Sequence, residues 1–449
     1  MSKRQGLAAR ARAASRCGAA VLLVVATALC AAPSQASPLR TRDTAGEMAP
    51  SAVALAVLPP AASVADMQRR DTDTLWPTHG WVMSTPEAQG VDSDVLANAM
   101  TTIRARHLPV HSLLVARHGK IVLDAYFHPF ADNQLHDVAS VTKSVVSTLV
   151  GIAMRQRRIG DLNTPVMQML PGVEAAVDPW KSRMTLAHML SMTSGLDCSG
   201  NRGRNFLQQM EQSPHWTEFA LGRQLVAQPG TTFAYCAGNM HVVSAVLTQA
   251  VRESAAAFAR QELFAPLGID RVTWATDRDG VTHGFSDLRM QPRDMAKLGY
   301  LWLHHGDWEG HQIVPASYLS AAFAPHATVE QNVQYGYGMW IYPTRGHAGG
   351  APDFEANGYG GQRIAVIPSQ DMVVVITGAG LDANDVGRLV ADAARAAGQL
   401  PSNPQGAWRL NTLVADAAGS SRTHLASVEP KSRSHRTAVR TAALGTSFH

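Results

Sequence analysis

Two β-rich pairs lie far apart in this chain, and any fold must bring them together across about 235 intervening residues. Ser112 to Arg117 and Lys120 to Phe127 flank His118-Gly119 and read as a hairpin, and Arg363 to Ile367 and Met372 to Thr377 form the later pair. Helical periodicity frames the first pair, over Asp92 to Arg106 and over Ser140 to Arg155, where Val141, Val145, Val146, Leu149, Ile152 and Ala153 recur on one side. Between the pairs the chain is mostly helical segments broken by Gly and Pro, and a helix from about Asn384 to Ala397 follows the second. The order sheet, helical insert, sheet, helix predicts an α/β (α+β) fold: an antiparallel sheet flanked by helices, with an inserted, mainly helical subdomain over about 140–335.

The ends of the 449-residue chain read differently from this body. Residues 1–36 carry five basic residues, no acidic ones, and an apolar run from Gly18 to Ala32 that is too short to span a bilayer. They predict a Sec-type signal peptide, with small residues Ser34 and Ala36 placing cleavage after Ala36 and a periplasmic or secreted location. Cys30 follows Leu29 rather than a small residue, which disfavours a lipid anchor. Residues 37–74 read as a flexible linker, 75–400 as the folded domain, and 401–449 as a disordered, Ser/Thr/Arg-rich tail. Without the leader, 34 basic residues face 35 acidic ones, so the net charge of +4 belongs to the leader and no phosphate-binding surface is indicated. A nucleic-acid partner is therefore not expected.

Ser140-Val141-Thr142-Lys143 is the only Ser-x-x-Lys in a chain with six lysines, and it opens a helix. Positions i and i+3 share a helix face, so the Ser140 hydroxyl and Lys143 amine can meet. A desolvated amine can lose its charge and take the serine proton. An N-cap serine followed by a surface lysine is the plainer alternative. Three further segments stand out. Thr185 to Leu196 is a short amphipathic helix with a Gly stop, Pro229 to Asn239 leads through Tyr235 into an apolar helix, and Asn357-Gly358-Tyr359-Gly360-Gly361-Gln362 introduces a strand.

In this order, these segments resemble the serine β-lactamase and penicillin-binding-protein superfamily, in its class C-like branch, over about residues 80–398. Thr193-Ser194-Gly195 and Pro292 to Gly299 match the same branch. Tyr359-Gly360-Gly361 falls where members carry Lys-Thr-Gly or His-x-Gly, a version similar to family VIII-type esterases and 6-aminohexanoate-dimer hydrolases. The resemblance implies catalysis by Ser140, Lys143 and Tyr235, with an acyl-enzyme on Ser140 and the proton work shared by the other two. It implies an oxyanion site at the backbone N–H groups of Ser140 and Gln362, beside Tyr359, Gly360 and Gly361. The substrate is then a small ester, amide or peptide-like molecule. Ala237 stands where a tyrosine-containing motif normally has asparagine, so Asn239 is the possible substrate-binding residue. Tyr359 in place of lysine removes a partner for a substrate carboxylate and disfavours β-lactams.

A class C-like β-lactamase or D-alanyl-D-alanine carboxypeptidase is the neighbouring activity, and a non-catalytic periplasmic binding or sensor protein using the same pocket is the rival of another class. No Gly-x-Ser-x-Gly elbow, His-x-His or His-Glu-x-x-His occurs, so neither an α/β-hydrolase nor a metal site is expected, and no cofactor is called for. His188 and His241 read as packing or capping residues. Cys198 and Cys236 are the cysteines that remain after leader removal, and the resemblance places both beside the pocket, as a disulfide in an oxidising compartment.

Overall fold

The structure, a computed structural model, describes residues 76–173, 178–199, 205–343, 351–390 and 392–419. The expected signal peptide and linker, and residues 420–449 of the expected tail, lie outside them.

Nine strands form one sheet among the described residues: β1 (Val82–Met83), β2 (Val110–Arg117), β3 (Lys120–Tyr126), β4 (Ala327–Glu330), β5 (Val333–Tyr335), β6 (Trp340–Tyr342), β7 (Asp353–Gly358), β8 (Gln362–Ile367) and β9 (Met372–Gly378). Their spatial order is β1-β3-β2-β9-β8-β7-β6-β5-β4, antiparallel throughout except for the parallel β1–β3 pair. The two β-rich pairs thus become neighbours, Val375 opposite Leu114 and Ile376 opposite Leu113. Their unbroken apolar runs are explained by cover on both faces. Leu113, Val115, Val374 and Ile376 point into one core, and Leu114, Ala116, Val373 and Val375 into the other.

The first core is closed by α1 (Ser93–Ala105), capped by Asp92, which accepts from Asp94 N and Val95 N. On the other face lie α2 (Val141–Arg155) and α4 (Pro292–Leu303), with α3 (Ala237–Val251) packed against α2. Every residue of α2 from Val141 to Ala153 is buried, the polar Thr142, Lys143, Ser144, Ser147 and Thr148 included. The mixed α/β architecture is an antiparallel-dominated sheet flanked by helices, as the sequence predicts.

Three sequence expectations are corrected. The last helix of the insert ends at Ala322; β4 and β5 then extend the sheet within its expected bounds and β6 follows just beyond them, each only three or four residues long and too short to show alternation. The last helix of the body ends at Val390 rather than near Ala397 (α5, Ala383–Val390). The segment expected to be disordered from 401 begins with α6 (Pro404–Ala417), whose Leu410, Leu413, Val414 and Ala417 make a narrow stripe on the α1 side of the sheet. A stripe of four in a polar surround buries little area, and its period is faint in sequence.

Candidate active site

Ser140 sits at the N-cap of α2, with φ −71° and ψ −5°, and makes no side-chain capping bond. Ala139 before it is held at φ 46°, a left-handed conformation that is costly for alanine. Its amide is fixed by the Asp137 carboxylate at 2.8 Å, and Val138 N donates to Leu288 O at 2.9 Å. The Val141 and Thr142 amides donate to Val138 O and Ala139 O, each at 3.1 Å, which spares the serine hydroxyl from helix capping.

One turn into the helix, Lys143 Nζ is hydrogen-bonded to Ser140 Oγ at 2.7 Å and to the Phe285 carbonyl at 3.0 Å. Lys143 is 2% exposed, and no carboxylate pairs with it among the described residues. Burial alone lowers its pKa to about 7. The amine is therefore largely free of its proton in mildly alkaline solution.

Tyr235 reaches the same hydroxyl from the segment before α3. Its ring lies 4.9 Å from Lys143 Nζ and packs on Trp340 and Tyr335, with centroids 5.5 and 6.1 Å away. Tyr235 as a residue is 40% exposed, but desolvation of the phenol pushes its pKa up to about 12, against the opposing hydrogen bond with Ser140. The phenol keeps its proton near neutral pH. Behind it, Ala234 N donates to Met192 O and Gly230 N to Thr193 O, so the Thr193-Ser194-Gly195 segment backs the tyrosine loop.

The turn between β7 and β8 closes the third side. Gly360 and Gly361 take φ 83° and 98°, and a Cβ on Gly358 would lie 2.3 Å from Val138 O and 3.1 Å from Ser140 N. The turn therefore abuts the N-terminus of α2. Gln362 opens β8, its side chain tied to the Gly378 carbonyl at 2.6 Å, while Tyr359 stands at the rim, 90% exposed.

Ser140, Lys143, Tyr235 and Tyr359 line one cavity of about 390 Å³, walled by Phe206, Leu207 and Phe285. The disulfide Cys198–Cys236 forms, with Cα atoms 5.7 Å apart, and both cysteines line this cavity. Lys143 carries the only ionisable cation or carboxylate of the described lining. Asn239 does not reach it: fully buried in α3, it accepts from Ser194 Oγ at 2.9 Å and turns its amide toward Met192 Sδ. The physical reason is helical phase, since Asn239 follows Tyr235 by four residues across the helix start and points into the packed interior. His188 forms a capping box with Thr185, and His241 pairs with Asp277 at 2.9 Å, both away from the cavity lining. Among the described residues no group of side chains could hold a metal ion.

Phe285, Phe206 and Leu207 escaped the sequence reading. Phe285 acts through its carbonyl, which leaves no trace in residue type. Only the turn signal Gly284-Phe285-Ser286-Asp287 marked the place.

The beta-lactamase family profile matches residues 94–399. The chain belongs to the beta-lactamase family. It is 23% identical over 312 residues to a 6-aminohexanoate-dimer hydrolase of Paenarthrobacter ureafaciens, covering 65% of this chain and 79% of that protein. Among solved structures, it is similar to EstCE1, a hydrolase with promiscuous acyltransferase activity (TM-score 0.56, 17% identity, 68% of this chain and 99% of that one). It is also similar to a penicillin-binding-protein homologue from Caulobacter crescentus (TM-score 0.56, 15% identity, 70% and 99%). These relatives are proteins of the β-lactamase fold, and hydrolase is the activity named for two of them, beside acyltransferase activity in one.

Proposed function

We propose that this protein is an exported serine hydrolase that cleaves a small ester or amide through an acyl-enzyme on Ser140. The observation that carries the reading is the 2.7 Å contact between Ser140 Oγ and a buried, carboxylate-free Lys143. Lys143, with a pKa lowered to about 7, takes the Ser140 proton as Oγ bonds to the acyl carbon. Tyr235, with a pKa raised to about 12, stays protonated and donates to the leaving group as its bond breaks. The Lys143 ammonium then returns its proton to the phenolate. In the second half, water attacks the acyl carbon, gives up a proton to the same pair, and Ser140 leaves with its proton restored. The Ser140 and Gln362 N–H groups hold the oxyanion, and one such donor contributes about 3 kcal/mol.

The apolar walls and the exposed Tyr359 support an uncharged acyl group in preference to a carboxylate-bearing β-lactam or D-alanyl peptide. Export is supported by the leader-like residues 1–36 and by the disulfide. The test is a fluorophosphonate probe with a panel of p-nitrophenyl esters, linear amides, nitrocefin and D-alanyl peptides. Labelling and ester turnover should both vanish in Ser140→Ala; labelling at equal stoichiometry in that variant refutes the assignment. A mature N-terminus at Ser37 checks the export reading.

A further inference from the structure

Lys143 has two hydrogen-bond partners among the described residues, Ser140 Oγ and the Phe285 carbonyl. A carbonyl can aim an amine only if its own turn is held still, and this turn is held from several sides. Asp287 adopts φ +64°, which a non-glycine residue keeps only when its surroundings enforce it. Its carboxylate accepts from the Ser286 hydroxyl and is bonded to His283 Nδ1 at 2.9 Å, which closes a ring of contacts around Phe285. The His283 imidazole is stacked, its centroid 4.5 Å from Trp216 and 5.8 Å from the near-parallel Phe285 ring.

The turn also touches the elements that carry the other two site residues. A Cβ on Gly284 would lie 1.9 Å from Met240 O, so its backbone presses directly on α3, the helix that follows Tyr235. At its far end Leu288 O accepts from Val138 N, two residues before Ser140. The charged and titratable groups facing this cluster are Glu211 from the helix Phe206–Gln212, Arg289 on the strand that follows, and the buried His241–Asp277 pair of α3 and its neighbouring turn.

We propose that His283 and Asp287 are positioning residues for the proton relay: their bond clasps the 283–288 turn so that the Phe285 carbonyl holds the Lys143 amine against Ser140 and keeps water from it. The inference rests on the reading of Lys143 as the base. The Asp287 carboxylate is held below the usual range, first by the His283 hydrogen bond, so the clasp is charge-assisted at working pH. Opening it admits water beside the amine, and the amine then recovers the preference for its charged form that burial removes. The absolute loss is greatest where the native amine is neutral and the solvated one is not.

The experiment is the rate of fluorophosphonate labelling of Ser140 from pH 5.5 to 9.5 in the full protein, in Asp287→Asn and in His283→Ala, with thermal melts alongside. Asp287→Asn keeps the size of the side chain and tolerates the left-handed backbone. The acid limb should move upward by about one pH unit, with about a fivefold loss of rate at pH 7, about tenfold at pH 5.5, and recovery by pH 9.5. A purely structural residue lowers the rate evenly across pH. Limbs within about 0.3 of the parent in both variants overturn the clasp, and if His283→Ala fails to fold, Asp287→Asn decides alone. Undiminished labelling in Ser140→Ala overturns the catalytic reading instead, so the two failures are told apart.

Discussion

Replacing Lys143 by methionine should abolish turnover and make the protein more stable at neutral pH. An ordinary lysine titrates at 10.5, and burial in α2 brings Lys143 to about 7. At about 1.4 kcal/mol per pH unit, that difference is worth about 5 kcal/mol. The sign follows from proton binding. Below pH 7 folded and unfolded chains both carry the proton, and the folded state bears the full cost of a buried ammonium. Between pH 7 and 10.5 the unfolded chain binds a proton that the folded one has shed, so the cost shrinks as pH rises. Above 10.5 it is gone. Lys143→Met removes this pH dependence and adds a constant offset from the lost contacts to Ser140 and Phe285. The stability advantage of the variant should therefore be nearly level below pH 6 and fall by about 2 kcal/mol from pH 7 to pH 9. Urea unfolding of both proteins at half-unit intervals from pH 6 to 9.5 measures it. A difference that stays flat from pH 7 to 9 would mean that the native amine is charged throughout, and the argument for Lys143 as a neutral base would fail.

Tyr235→Phe should lower kcat by about a hundredfold or more with an almost unchanged melting temperature, because the ring contacts to Trp340 and Tyr335 survive; near-normal kcat would remove the phenol from the relay. Joint replacement of Cys198 and Cys236 by serine opens a loop of sequence separation 38 and should cost about 4 kcal/mol in the chain-entropy account. It should also lower kcat by loosening the residue next to Tyr235, whereas two carbamidomethylated cysteines in the native, non-reduced protein would show that no bridge exists. Gly358→Ala should cut labelling of Ser140 at least tenfold, since the new methyl meets Val138 O at 2.3 Å and the turn must retreat; an unaffected rate would place the turn outside the catalytic geometry. Tyr359→Lys should lower KM for carboxylate-bearing substrates such as nitrocefin relative to neutral esters. Faster nitrocefin turnover than that of every ester in the unaltered protein would reverse the substrate reading.

What could be read from the sequence is what depends on short stretches of chain. Three residues on a helix put Ser140 and Lys143 within reach of each other, so their proximity was legible from spacing, while the choice between this contact and a solvated surface lysine was not. The hairpin about His118-Gly119 and the apolar runs of β8 and β9 announce themselves through strand composition, and the resemblance of the tyrosine and Gly-Tyr-Gly-Gly segments placed Tyr235 and the turn at the same pocket. Tertiary structure decided the rest, because desolvation and strand pairing are sums over distant residues. Lys143 is a weak base only because helices and strands from across the chain exclude water from it, and its second partner is a backbone carbonyl 142 residues away. Asn239 was four residues from Tyr235 on paper, yet the start of α3 turned it into the core. The short strands β4 to β6 had no pattern of their own and exist by pairing with neighbours, beginning from β7. Helix α6 exists likewise because the α1 face of the sheet offered its narrow stripe a surface to cover. Periodicity records what a segment can bury, and only the assembled fold supplies the surface against which it is buried.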